Sequence, residues 1–158
     1  MNFRIGFGYD VHKLAENKTL TLGGIVIPHT KGSVGHSDAD TLIHAICDAL
    51  LGASNMRDIG YHFPDTDSKL KGIDSKIILK KTVDLIKTKG YNIGNIDSTI
   101  SLQKPKIKDY IPKMQETIAT TCNINVEDIS IKATTTEKLG FEGREEGVSA
   151  SAVVLITK

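Results

Sequence analysis

The sequence predicts an α/β fold, specifically an α+β two-layer sandwich in which one mixed sheet carries helices packed on one face. Two observations predict it. Residues 3–12, 91–102, 129–133 and 148–156 read as strands, and residues 38–53, 74–89 and 109–121 read as amphipathic helices set among them. No repeat, low-complexity tract or linker interrupts that order, so residues 1–158 read as a single domain large enough for a sizeable core.

The elements follow in order. Phe3 to His12 alternates like a strand, so Asp10 and His12 share one face, while Ile5, Phe7, Tyr9 and Val11 share the other, which is expected to enter the core. Thr19–Leu22 and Ile25–Ile27 flank Gly23-Gly24 as a hairpin stopped by Pro28. Leu42, Ala45, Ile46, Ala49, Leu50 and Ala53 then recur at the spacing of one helix face, with Asp38 as the expected N-cap. Asp40, His44 and Asp48 fall on the opposite face, flanked by Ile43 and Leu51. Ser54 to Gly72 is a polar connection whose length marks it as functional or mobile. The second helix turns Ile78, Leu79, Val83 and Ile86 inward and stops at Gly90. The next strand is broken by Lys104-Pro105-Lys106. A third helix from about Asp109 to Thr121 carries Ile111, Met114 and Ile118 on one face, with Pro112 tolerated in its first turn. Ile129–Ala133 leads into Thr134-Thr135-Thr136-Glu137-Lys138 and a turn through Gly140 and Gly143. Val148–Ile156 is apolar enough to be expected buried on both faces.

Hydrophobic content of 39% and charged content of 25% are ordinary for a soluble protein. Twenty Lys+Arg against 19 Asp+Glu, a net charge of +1, argue against a nucleic-acid partner. No apolar run suits a bilayer, and no signal or transit peptide is visible. Cys47 and Cys122 read as buried thiols of a reducing compartment, so the expected location is cytoplasmic.

Either histidine alone would read as an ordinary core or surface residue. Together, Asp10, His12 and His44 supply one oxygen and two nitrogens, a set suited to zinc or another divalent transition metal. Three protein ligands with an open fourth position describe a catalytic ion. Each imidazole needs a partner on its other nitrogen, and Asp48, one turn from His44, is the expected one. His36, Ser37 and Asp38 precede a helix whose free N–H groups favour an anion, and His36 can donate to a phosphate oxygen; simple capping explains the same residues. Thr134 to Lys138 suits a phosphate chain and Glu137 suits Mg²⁺ or Mn²⁺, although β-propensity alone also places threonines at a strand end. Of Lys104, Lys106 and Lys108, Lys106 is the expected phosphate contact. Arg144 with Glu145 and Glu146 reads as a surface ion-pair cluster or a subunit contact.

Read as an ordered set, Gly8-Tyr9-Asp10-Val11-His12, Gly23-Gly24 with Ile27-Pro28, His36-Ser37-Asp38-Ala39-Asp40, His44 with Asp48–Ala53, Asp58-Ile59-Gly60, Phe63–Asp67, Lys89-Gly90-Tyr91 and Ala133–Phe141 cover nearly the whole chain. The chain resembles the 2-C-methyl-D-erythritol 2,4-cyclodiphosphate synthase family of the non-mevalonate isoprenoid pathway. The resemblance implies a metal-dependent phosphorus–oxygen lyase acting on 4-diphosphocytidyl-2-C-methyl-D-erythritol 2-phosphate. By that resemblance, the 2-phosphate of the substrate would attack its own β-phosphate, and CMP would leave. Zinc would be held by Asp10, His12 and His44, and Mg²⁺ or Mn²⁺ by Glu137, with Thr135 among the catalytic residues. His36 and Ser37 would contact the methylerythritol phosphate. Asp58, Gly60, Phe63 and Asp65 would form a mobile loop around the methylerythritol. Lys106, Thr134 and Thr135 would hold the cytidine and its phosphates, and Phe141 and Arg144 complete the implied substrate contacts. The resemblance also implies a homotrimer with sites between subunits, Arg144 and Glu146 lying near the three-fold axis. It implies a small-molecule partner and no nucleic acid or membrane. Leu102, where the family often has a small residue, and Lys108, where it often has an apolar one, bear on the shape of the nucleobase pocket. Two rival readings are a zinc phosphohydrolase using Asp40 or Asp65 as the water-activating base, and a non-catalytic trimeric binder.

Overall fold

The layering follows from two glycines in the first strand. In the computed structural model, which describes residues 2–158, β1 spans Phe3–Glu16 and α1 spans Thr41–Ala53. A Cβ on Gly6 would come within 1.9 Å of the Ala49 carbonyl, and one on Gly8 within 1.9 Å of that of Ala45. Only glycine lets the backbones of helix and strand approach so closely. The covered face of β1 is therefore the one with Gly6, Gly8, Asp10 and His12. Phe3, Ile5, Phe7, Tyr9 and Val11 lie on the open face, 44–68% exposed, which corrects the expectation that Ile5, Phe7, Tyr9 and Val11 enter the core. Period-two alternation says which residues share a face, but not which face another layer covers.

The remaining elements are β2 (Leu20–Leu22), β3 (Ile25–Ile27), β4 (Lys31–Val34), α2 (Ile59–His62), α3 (Ser75–Thr88), β5 (Asn92–Ser101), α4 (Ile111–Cys122), β6 (Ile129–Thr134), α5 (Gly140–Gly143) and β7 (Gly147–Thr157). The main sheet has the order β4-β1-β7-β5-β6, and only β5 and β6 run parallel, so it is mixed. β2 and β3 form a separate hairpin whose turn, Gly23-Gly24, has φ of 61° and 78°. α1 packs on β1 and β7, α4 on β6, and α3 against α1 and α4. The core between the layers includes Leu42, Ile46, Leu50, Leu79, Ile96 and Val154, each contributing about 1.5–3 kcal/mol by its removal from water.

Four boundaries differ from expectation. β1 continues past His12 because β4, a strand the sequence pattern does not announce, pairs with Lys13–Glu16. α1 begins at Thr41 with Asp40, not Asp38, as its N-cap. The long connection from Ser54 to Gly72 contains α2 and a 3₁₀ turn at Ser68–Leu70. Along β7, Val148, Ala150, Ala152, Val154 and Ile156 are buried, but Val153 on the other face is 44% exposed, so the strand is not covered on both sides. Val153 lies opposite Phe7 in the pairing of β7 with β1, on the same open face.

The register brings the expected site segments to one end of the sheet. His12 pairs with Val148, Ser149 with Ser101, and Ser101 with Thr134. His12 and Thr134 are thus three strand spacings apart, about 14 Å.

Candidate active site

Asp10, His12 and His44 converge as one group. Asp10 Oδ2 lies 3.0 Å from His12 Nε2 and 3.2 Å from His44 Nδ1, and the two nitrogens are 3.1 Å apart. Strand alternation aligns Asp10 with His12, and α1 brings His44 over them where Gly8 lets it settle on β1. His12 Nδ1 lies 3.1 Å from the Val34 carbonyl on β4, so it carries the hydrogen and donates. Its Nε2 then faces Asp10 and His44 with a lone pair. With both imidazoles neutral, no proton separates three electron-rich atoms, and a cation relieves their repulsion. Ligand atoms at about 2.0–2.1 Å from a tetrahedral ion stand about 3.3 Å apart, so these residues fit a zinc-class ion. Among the described residues this is the one such His/Cys/Asp/Glu group.

The electrostatics agree. Burial works against the Asp10 carboxylate, but the His12 and His44 rings beside it overcome that and hold the carboxyl down to about 2. Burial likewise works against the charged His12 ring, and the Asp10 carboxylate overcomes it, raising His12 above its ordinary value.

Asp48 is not the partner of His44. Its carboxylate accepts from the Ile59 amide at 2.7 Å, and burial raises its affinity for a proton. Helical side chains lean toward the N-terminus, so His44 reaches back instead. His44 Nε2 lies 2.9 Å from Ser75 Oγ and 3.1 Å from Ser37 Oγ. Ser75 carries no motif by itself and stands out only as the first residue of α3.

The start of α1 is not an anion site. The Asp40 carboxylate occupies it, accepting from the amides of Ile43 (3.0 Å), Gly23 (3.0 Å) and Gly24 (2.6 Å). Burial pushes this carboxyl up to about 6, against the Ile43 and Gly24 donors. Asp40 is wholly enclosed and cannot act as a water-activating base.

His36, Ser37, Gly60, Phe63 and Asp65 line a cleft of about 440 Å³ that also opens onto His12 and His44. His36 Nε2 lies 3.1 Å from the Asp67 carbonyl, and the His36 carbonyl accepts from the Gly72 amide at 2.7 Å, which ties the two sides of the cleft together. Asp58 does not line it. Asp58 caps α2 by accepting from the Tyr61 amide at 2.9 Å. Lys106, Thr134 and Thr135 line a second cavity of about 150 Å³ with Leu102 and Lys108, and buried Leu102 narrows it. Glu137 stands in the turn beyond β6, outside the group of Asp10, His12 and His44. Phe141 lines neither space, since its ring packs over Gly147. Arg144 is exposed and donates through Nε to Glu146 at 2.8 Å. Cys47 and Cys122 are buried thiols. Burial raises both, Cys122 to about 12, which leaves them unreactive. No helix among the described residues is long and apolar enough to cross a membrane.

The family model described as the YgbB family matches residues 3–157. A 2-C-methyl-D-erythritol 2,4-cyclodiphosphate synthase of Bacteroides thetaiotaomicron is 67% identical over 158 residues, covering 100% of this chain and 99% of its own. The bifunctional IspDF of Campylobacter jejuni superposes with a TM-score of 0.95 at 43% identity, over 98% of this chain and 42% of that longer one. An IspF–CDP complex from Plasmodium falciparum superposes with a TM-score of 0.85 at 39% identity, over 98% of this chain and 96% of that one. With a family match and a close relative both running essentially end to end, the chain belongs to the YgbB family, that of the 2-C-methyl-D-erythritol 2,4-cyclodiphosphate synthases.

Proposed function

We propose that this chain converts 4-diphosphocytidyl-2-C-methyl-D-erythritol 2-phosphate to 2-C-methyl-D-erythritol 2,4-cyclodiphosphate and CMP. The observation that carries the reading is the triangle of Asp10, His12 and His44 opening on a cleft, with the Lys106–Thr134 cavity at the same end of the sheet. The P. falciparum CDP complex supports a cytidine diphosphate derivative as the ligand. In the reaction an oxygen of the 2-phosphate forms a bond to the β-phosphorus, the bond from that phosphorus to the CMP oxygen breaks, and CMP leaves with the electron pair. No protein nucleophile is needed. The difficulty is an anion attacking an anion, so the site must bend the substrate and concentrate positive charge on it.

The residues divide that work. Asp10, His12 and His44 would hold a zinc-class ion and Glu137 a Mg²⁺ or Mn²⁺, and these supply the charge that neutralises the phosphate oxygens. His36 and Ser37 position the methylerythritol phosphate. Gly60, Phe63 and Asp65 enclose the methylerythritol, and Asp58 braces α2 behind them. Lys106, Thr134 and Thr135 hold the cytidine end, Thr135 beside Glu137. In one chain the two halves stand about 14 Å apart, and an apolar sheet face lies open. Both facts support a homotrimer that covers this face and completes each site between subunits, with Arg144 at the junction. A single domain in the cytoplasm, without nucleic-acid or membrane partners, completes the reading.

Incubation with substrate, Mg²⁺ and Zn²⁺ tests it. The expected result is CMP and cyclic diphosphate in equal amounts. Linear hydrolysis products would favour a phosphohydrolase with Asp65 as base, and tight binding without turnover would favour a binder.

A further inference from the structure

His44 is held from behind by hydrogen bonds that end on a carboxylate. Its Nε2 lies 2.9 Å from Ser75 Oγ, and the Ser75 hydroxyl in turn meets Asp38 Oδ1. A carboxylate only accepts, and a hydroxyl has one proton to give. That proton goes to Asp38, so Ser75 Oγ must accept from His44, and Nε2 carries the ring hydrogen. Nδ1 is left with its lone pair, and Nδ1 is the atom that faces Asp10 and His12.

The carboxylate is itself fixed. Asp38 Oδ2 accepts from the Ser75 amide at 2.9 Å, and Oδ1 accepts from the Asp40 amide at 3.2 Å. The Asp38 amide donates to the Ile73 carbonyl at 3.1 Å. Ser75 is 0% exposed and lines neither cavity, so its hydroxyl meets no substrate. Ser37 Oγ, the other acceptor near Nε2, also takes the Ala39 amide at 3.2 Å and faces the cleft. Ser75 is thus the partner of His44 that substrate does not compete for.

We propose that Ser75, anchored by Asp38, is a positioning residue that holds His44 in the Nε2–H tautomer and so makes Nδ1 its metal-ligating atom. The inference rests on the metal reading of Asp10, His12 and His44. A carboxylate that reaches a ligating histidine through a hydroxyl raises the basicity of the ligand and fixes the plane of its ring. It also joins the metal group to the first residue of α3, the end of the segment that walls the cleft.

The test is zinc binding by the metal-stripped full chain, measured by chelator competition at neutral pH. Ser75→Ala is expected to weaken zinc affinity about 10–100-fold. Asp38→Asn is expected to weaken it in the same direction, and it keeps the test decisive if the alanine variant unfolds. The double variant is expected to be no weaker than Ser75→Ala by more than about threefold, because both changes act through one chain of bonds. Nitrogen NMR of the metal-free chain should show the His44 Nε2–H in the parent and its loss in Ser75→Ala. Zinc affinity unchanged in Ser75→Ala, or effects that multiply in the double variant, would overturn the proposal and leave the metal reading standing. A parent chain that takes up no zinc would overturn both.

Discussion

At the scale of single residues, the contact of Asp10 with His12 sets how the site responds to pH. The Asp10 carboxyl sits at about 2 in the folded chain, against an ordinary value of 3.8. Its contribution, about 2 kcal/mol, is present above about pH 4 and is lost as pH falls toward 2. His12 is raised, so its contribution is present below 6.5 and is lost as pH rises through the raised value. A metal must displace the proton that the two residues share. Zinc affinity is therefore expected to rise about tenfold per pH unit up to the His12 value and to level off above it, with proton release on binding. Calorimetry in buffers of different ionisation enthalpy checks this, and affinity flat across that range would contradict it. The two ion sites are expected to separate by mutation. His44→Ala should lose zinc and nearly all turnover while circular dichroism shows the fold retained. Glu137→Gln should weaken the response to Mg²⁺ without changing zinc content, and equal loss of zinc in both variants would mean that the two sites are not distinct.

At the scale of elements, the contact of α1 with β1 is what makes the site possible. Gly8 has no room for a Cβ beside the Ala45 carbonyl. Gly8→Ala must push the helix off the strand, and overpacking of this kind costs about 1–3 kcal/mol or more. Because His44 immediately precedes Ala45 on α1, the same shift opens the triangle. We expect Gly8→Ala to lower the melting temperature and to lose zinc affinity, whereas Gly52→Ala, where a Cβ meets nothing within 4 Å, should do neither. Thermal melts and zinc titration of the pair check this. The N-terminus of α1 shows the same dependence of site on element. Asp40 ties the helix start to the Gly23-Gly24 turn through three backbone donors, which is why that helix end is unavailable to a phosphate.

At the scale of the whole molecule, the open face of the sheet governs behaviour. Phe3, Ile5, Phe7 and Tyr9 form a contiguous apolar stripe on β1, with Val153 of β7 beside it. A patch of this kind on a protein in water marks an interface. Phe7→Asp is expected to leave the layered core intact, since Phe7 is 66% exposed in the single chain, and to dissociate the proposed homotrimer. Light scattering would then give the mass of one chain with native circular dichroism and little turnover. A parent that scatters as one chain would contradict the trimer.

Much of the fold and of the candidate site is legible in the sequence alone. The three long helices and four of the sheet's strands could be read from periodicity, and Asp10, His12 and His44 from residue type and spacing, because these depend on local geometry and ligand chemistry. β4 escaped because a four-residue edge strand without alternation has no signal of its own. Ser75 escaped because its role exists only where the start of α3 meets His44. The buried side of β1 is not legible in its sequence because alternation is symmetric between faces. That Asp48 is not the partner of His44 is not legible either, because equal spacing along a helix does not show which way a histidine ring leans. Residue pattern alone thus specified the kind of chemistry and the order of the elements. Which face is covered, which nitrogen meets the ion and where the two half-sites stand depended on long-range packing, since those choices are made by contacts between segments far apart in the chain.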